Sequence, residues 1–140
     1  MSSRTVFLAK LIGLYALIFG LSMFANKQGT VNAVAALMRD PGVVLLCGIF
    51  ALSVGISMIL AHNVWSGGAV PVAVTVIGWL SAVKGLVLLF LAPQALSAYF
   101  QGLHYEQFFY PYATVTLLLG AYLTYGGFSG ASSRTPRARV

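Results

Sequence analysis

The chain has 140 residues, of which 59% are hydrophobic and only 7% charged, with a formal net charge of +6. So much apolar surface on so short a chain excludes an ordinary water-soluble domain and points to lipid as the solvent. The length leaves room for one domain. Two acidic residues, Asp40 and Glu106, leave little for general acid–base or metal chemistry.

The apolar pattern predicts an all-α membrane protein, an antiparallel bundle of four transmembrane helices at residues 5–25, 41–61, 70–92 and 108–127. Each run is about 20 residues or slightly more, enough to cross a hydrocarbon core about 30 Å thick. The first run imitates a signal peptide, with Arg4 ahead of it and a small-x-small site at Gly20-Leu21-Ser22. Lys10 interrupts its apolar region, however, and the run continues for a full membrane width. It is therefore expected as a retained first helix.

Next, Thr30 is placed to cap a short helix from Val31 to Met38, closed by Asp40-Pro41. The second run contains the lone Cys47, which has no partner for an internal disulfide and reads as a small buried hydrophobe. His62-Asn63-Val64-Trp65 and Ser66-Gly67-Gly68 follow. Trp65 suits a membrane interface, Asn63 can satisfy terminal carbonyls, and the glycine pair permits a sharp reversal. The alternative reading of His62, Asn63 and Trp65 is a cytoplasmic docking or head-group contact.

Beyond the third run, Leu96, Tyr99, Phe100 and Leu103 recur at i, i+3, i+4 and i+7, the spacing of a helix lying in the interface. Tyr99, Tyr105, Phe108, Phe109, Tyr110 and Tyr112 read as an interfacial aromatic belt. After the fourth run, residues 129–140 form a basic tail expected to be disordered.

Each apolar run carries two glycines seven residues apart: Gly13/Gly20, Gly48/Gly55, Gly78/Gly85 and Gly120/Gly127. Seven residues are almost two turns, so each pair marks one stripe about 10 Å long. In lipid, small residues on one face let helix backbones approach closely, which holds a bundle without hydrophobic drive. Sliding the chain over itself by 72 residues aligns Gly13 with Gly85, Gly48 with Gly120 and Gly55 with Gly127. This predicts a tandem repeat of helix, interfacial helix and helix, related by an axis along the membrane normal.

Basic residues set the expected orientation. Arg4, Lys10, Arg134, Arg137 and Arg139 flank the two chain ends, against Lys27 and Arg39 on the opposite side. The bias of positive charge toward the cytoplasm then puts both termini inside a bacterial inner membrane. Lys10 is expected to snorkel back to that surface.

Lys84 is the foremost candidate for chemistry. It stands 13 residues after Pro71 and nine before Pro93, roughly 13 Å below the outer boundary. A lysine at such depth costs on the order of 2.5–3.5 kcal/mol on insertion scales, so it is expected to face the bundle. Its own helix offers Ser81 one turn away, and counting to the same depth on the other helices brings up Tyr15, Ser53 and Thr116 as polar neighbours. Three readings follow: a register-fixing hydrogen-bond network, a binding or transport site for an anion or lipid phosphate, or a side chain that snorkels to the surface. Other chemistries lack their parts. A thiol oxidoreductase needs a cysteine pair, a bis-histidine haem needs both ligands at one depth, and a proton-coupled exporter needs an embedded glutamate.

Together His62-Asn63-Val64-Trp65, Gly78-Trp79-Leu80 and Lys84-Gly85 resemble a type of small, uncharacterised bacterial four-pass membrane protein, across most of residues 8–127. The resemblance implies the inner membrane and the four-helix fold, and no activity. Similarity to DoxX-like proteins is architectural only. The leading expectation is a non-catalytic accessory or scaffolding subunit of a larger membrane complex, without cofactor or nucleic acid. Its partners would be the bilayer, other membrane subunits or further copies of itself. The alternative is a small transporter or lipid- or anion-binding protein built around Lys84.

Overall fold

In the computed structural model, residues 1–91, 95, 98, 102 and 104–132 are described, the last three of them for backbone only. The described residues contain helices and irregular segments and no strand. The helices are α1 (Ser3–Ala25), α2 (Lys27–Arg39), α3 (Pro41–Ala61), α4 (Ala69–Phe90) and α5 (Phe109–Ser132). The segment with Leu96, Tyr99, Phe100 and Leu103 lies outside the described residues, as do Arg134, Arg137 and Arg139.

Local chemistry sets the boundaries. Ser2 caps α1 by accepting from the Thr5 amide at 3.1 Å. Asn26 accepts from the Gly29 amide at 2.9 Å and starts α2 at Lys27, ahead of the expected start at Val31. Thr30 is not the cap; its hydroxyl donates back to the Asn26 carbonyl inside the first turn. Asp40 caps α3 through the Gly42 and Val43 amides, with Pro41 at the first helical position. α4 ends at Phe90, two residues short of the expected 92. α5 continues past Gly127 to Ser132, so residues 129–132 are helix rather than tail.

Three helices, α1, α3 and α4, are long and apolar enough to cross a membrane, which makes this a multi-pass membrane protein by length and composition. α5 is the longest, at 24 residues, but its four tyrosines (Tyr110, Tyr112, Tyr122, Tyr125) dilute its apolar character.

The four long helices pack as two close antiparallel pairs, α1 with α5 and α3 with α4. Glycines form both seams. All eight stripe glycines are buried, and a Cβ at any of them would press on an atom of the partner helix. In the first pair Gly13 lies against Thr124, Gly20 against Leu117, Gly120 against Leu17 and Gly127 against Lys10. In the second, Gly85 lies against Leu52, Gly48 against Leu89, Gly55 against Ala82 and Gly78 against Met58.

Three of these contacts correspond across the seams. The pairs 13/124, 17/120 and 10/127 become 85/52, 89/48 and 82/55 when 72 is added to the α1 residue and subtracted from the α5 residue. The pairs meet in an apolar cluster of Ala9, Met58, Val74 and Leu123, one residue from each long helix. That cluster occupies the end of the bundle bearing Ser3 and Ser132. The opposite end, with α2, holds two smaller clusters around Phe109 and Val44.

Candidate functional site: a cavity beside Lys84

At the α2 end, the two pairs and α2 line a half-open cavity of about 590 Å³. α4 supplies Leu80, Val83, Lys84, Val87 and Leu88 to its wall, and α3 supplies Cys47. Phe19 and Met23 come from α1, while Val34, Leu37 and Met38 of α2 lie along it. Tyr112 and Thr116 of α5, with Tyr105 ahead of that helix, complete the lining. The volume falls within the usual range for small-molecule sites, about 300–1,000 Å³.

Lys84 is the one charged residue of this lining among the described residues. With α4 ending at Phe90, it sits six residues, or about 9 Å, below the end of its helix, shallower than the spacing to Pro93 implied. Its side chain is exposed at the cavity wall, and among the described residues its ammonium has no hydrogen bond or ion pair. Neither Asp40 nor Glu106 lines the cavity.

The structure divides the polar residues expected around Lys84. Thr116 shares the cavity, its hydroxyl donating to the Tyr112 carbonyl at 2.8 Å. Ser81 uses its hydroxyl to join α4 to the Ala51 carbonyl of α3 at 2.9 Å. Ser53 is exposed, and Tyr15 is 69% exposed with its ring stacked on Phe19 at 6.1 Å; neither lines the cavity. A depth count fixes a level, whereas successive residues turn about 100° around the axis, so one level holds residues on opposite faces.

Across the 72-residue correspondence, Lys84 and Thr116 match Ile12 and Val44. Val44 is buried, and Ile12 is partly buried against the central cluster. Apolar side chains therefore serve packing at these registers in the other half.

The cavity's aromatic rim is ordered by ring contacts. Tyr105 stacks on Tyr112 at 5.8 Å and meets Phe109 edge-on at 5.9 Å. Burial pushes the Tyr105 phenol above its ordinary value of 10.0. Phe109, expected in an interfacial belt, is instead fully buried beside Met23 and Ala113. Lys27 places its ammonium 4.9 Å from the Tyr110 ring and 5.8 Å from that of Phe109. At the other end, Lys10 lays its ammonium 4.2 Å from the Phe128 ring.

The His62-Asn63-Val64-Trp65 segment lies at the end opposite the cavity. His62 is buried, and its Nε2 pairs with the Pro71 carbonyl at 3.2 Å. Thr75, 1% exposed, is the residue that sequence reasoning missed. Its hydroxyl accepts from the Val64 amide at 3.0 Å and has the Val64 and Pro71 carbonyls at 2.9 and 3.1 Å. A threonine four residues after Pro71 was the available signal, since a helical threonine can turn its hydroxyl back onto the carbonyl four residues earlier. Asn63 accepts from the Trp65 indole at 2.7 Å rather than serving helix carbonyls, and both side chains are exposed. Gly67 and Gly68 take φ of +87° and +116°, conformations that make the reversal into α4.

The fold thus defines a helical, multi-pass membrane protein with a largely apolar cavity whose described lining holds one cationic side chain, Lys84. No family model, curated protein or solved structure matches the chain.

Proposed function

We propose that this is a four-pass protein of the bacterial inner membrane that binds a lipophilic anion in the Lys84 cavity. The observation carrying the reading is an ammonium that is unpaired among the described residues, on the wall of a mostly apolar cavity. In a low-dielectric setting, an unpaired cation is costly, and an anionic ligand with an apolar body relieves that cost while filling the remaining space. The replacement of Lys84 and Thr116 by Ile12 and Val44 at the corresponding positions argues against a packing requirement for either polar group.

The fourth crossing is supported by α5 running antiparallel along α1 from Lys10/Gly127 to Gly20/Leu117. At about 36 Å for 24 residues, it has the length to span. A tandem repeat is supported by the shared seam register. Cytoplasmic termini follow from the basic residues near both chain ends, and the resemblance noted above favours a bacterial plasma membrane. The role is non-catalytic.

An accessory or scaffolding role in a larger complex is the second reading. It rests on exposed apolar faces such as Leu46, Phe50 and Leu118, which lipid covers equally well. The cavity favours the first.

The test is extraction from native membranes in mild detergent, followed by analysis of the co-purified lipids. Wild-type protein should carry an acidic amphiphile that the Lys84→Met variant lacks. Equal lipid content in the two would reject the proposal.

A further inference from the structure

We infer that the ligand is a single-tailed monoanionic amphiphile, one acyl-length chain carrying a carboxylate or a phosphodiester, with its acid group at Lys84. The inference rests on the reading of the cavity as a lipophilic-anion site and adds the shape and charge of the occupant. Two observations carry it.

The first is charge. Among the described residues the lining offers one ammonium, no second cation and no carboxylate. A zwitterionic head group would leave its own cation without a partner, and a polyanion would leave charge uncompensated in an apolar wall. Only a monoanion balances the site.

The second is volume. At about 30 Å³ for each water-sized group, a chamber of 590 Å³ holds about 20 such groups. That accommodates one long chain with a small acid head. A glycerolipid with two such chains needs roughly twice the space. The lining between Lys84 and α2 is suited to a tail, since Val87, Leu88, Met23, Leu37 and Met38 present hydrocarbon or thioether. The shared chemistry has two sources, a free fatty acid or a lysophospholipid with an anionic head.

The experiment uses full-length protein in nonionic detergent, mixed with equal amounts of palmitate, lysophosphatidylglycerol, palmityl alcohol and dipalmitoylphosphatidylglycerol. Native mass spectrometry then identifies the retained one-to-one adduct by mass. Palmitate or the lysolipid should dominate by about tenfold, the ratio expected from one well-placed charged contact. Whichever of the two is retained names the head group. Lys84→Met should lose the adduct, and Lys84→Arg should keep it, which separates loss of charge from loss of fold. A diacyl adduct that dominates in wild type and vanishes in Lys84→Met overturns the single-tail inference and leaves the lipophilic-anion reading standing. Retention of the alcohol, absence of any adduct, or an unchanged adduct in Lys84→Met overturns both.

Discussion

Gly55 of α3 lies so close to the Ala82 backbone of α4 that no Cβ fits between the two helices. The nearest atoms are the Ala82 amide nitrogen and Cα, which cannot swing aside as a side chain can. Gly20 of α1 differs in degree, because the nearest atom to a Cβ there is the Leu117 Cγ at 2.9 Å, while the Leu117 backbone stays at 3.3 and 3.4 Å. Gly55→Ala should therefore destabilise the protein by about 1–3 kcal/mol, as overpacking does. Gly20→Ala should cost clearly less. Reversible unfolding in mixed micelles measures both, and equal losses would contradict the backbone-seam argument.

Thr75, in the second turn of α4, ties the 62–68 loop to that helix through the Val64 amide. Replacing it with Val keeps the shape and removes the acceptor, leaving a part-buried amide unpaired. The expected loss is about 1–3 kcal/mol. The loop should also become more sensitive to protease than in wild type. An unchanged cleavage rate would show that the threonine does not hold the loop.

Tyr105 makes a prediction at alkaline pH. Its phenol is raised in the folded state by burial, so folding favours the protonated form. The contribution is fully present below the ordinary phenol value of 10.0 and is lost as pH rises from there through the higher folded value. Thermal stability should fall above pH 10 less steeply in Tyr105→Phe than in wild type. The difference between the two curves carries the test.

Membrane topology is checked by cysteine placement. In a Cys47→Ala background, Gln28→Cys at the start of α2 should react with an impermeant maleimide on intact cells. Ser66→Cys, in the loop before α4, should react only after lysis. Both positions are exposed in the structure. Labelling of both from one side would refute the proposed arrangement.

Much of this architecture is legible before any coordinates. The apolar runs locate α1, α3 and α4 to within two residues, because a backbone in lipid must satisfy its own hydrogen bonds and does so as helix. Asp40-Pro41 places the α3 start, and Gly67-Gly68 the reversal. Two boundaries were misjudged for local reasons. Asn26 outcompetes Thr30 as the cap of α2, and Gly126-Gly127 does not break α5, because Gly127 is held against Lys10 on the α1 seam.

Composition and periodicity by themselves determined the solvent, the helices and the glycine stripes, since each depends on properties of consecutive residues. Only the tertiary structure decided that α1 zips to α5 and α3 to α4, and that the same register serves both seams. It also decided that Lys84 and Thr116 share a chamber with Cys47 and Tyr105, while Tyr15, Ser53 and Ser81 stay out of it. The reason is rotational: a sequence gives depth along each helix axis, but the azimuth that turns a side chain inward is settled by which helices touch.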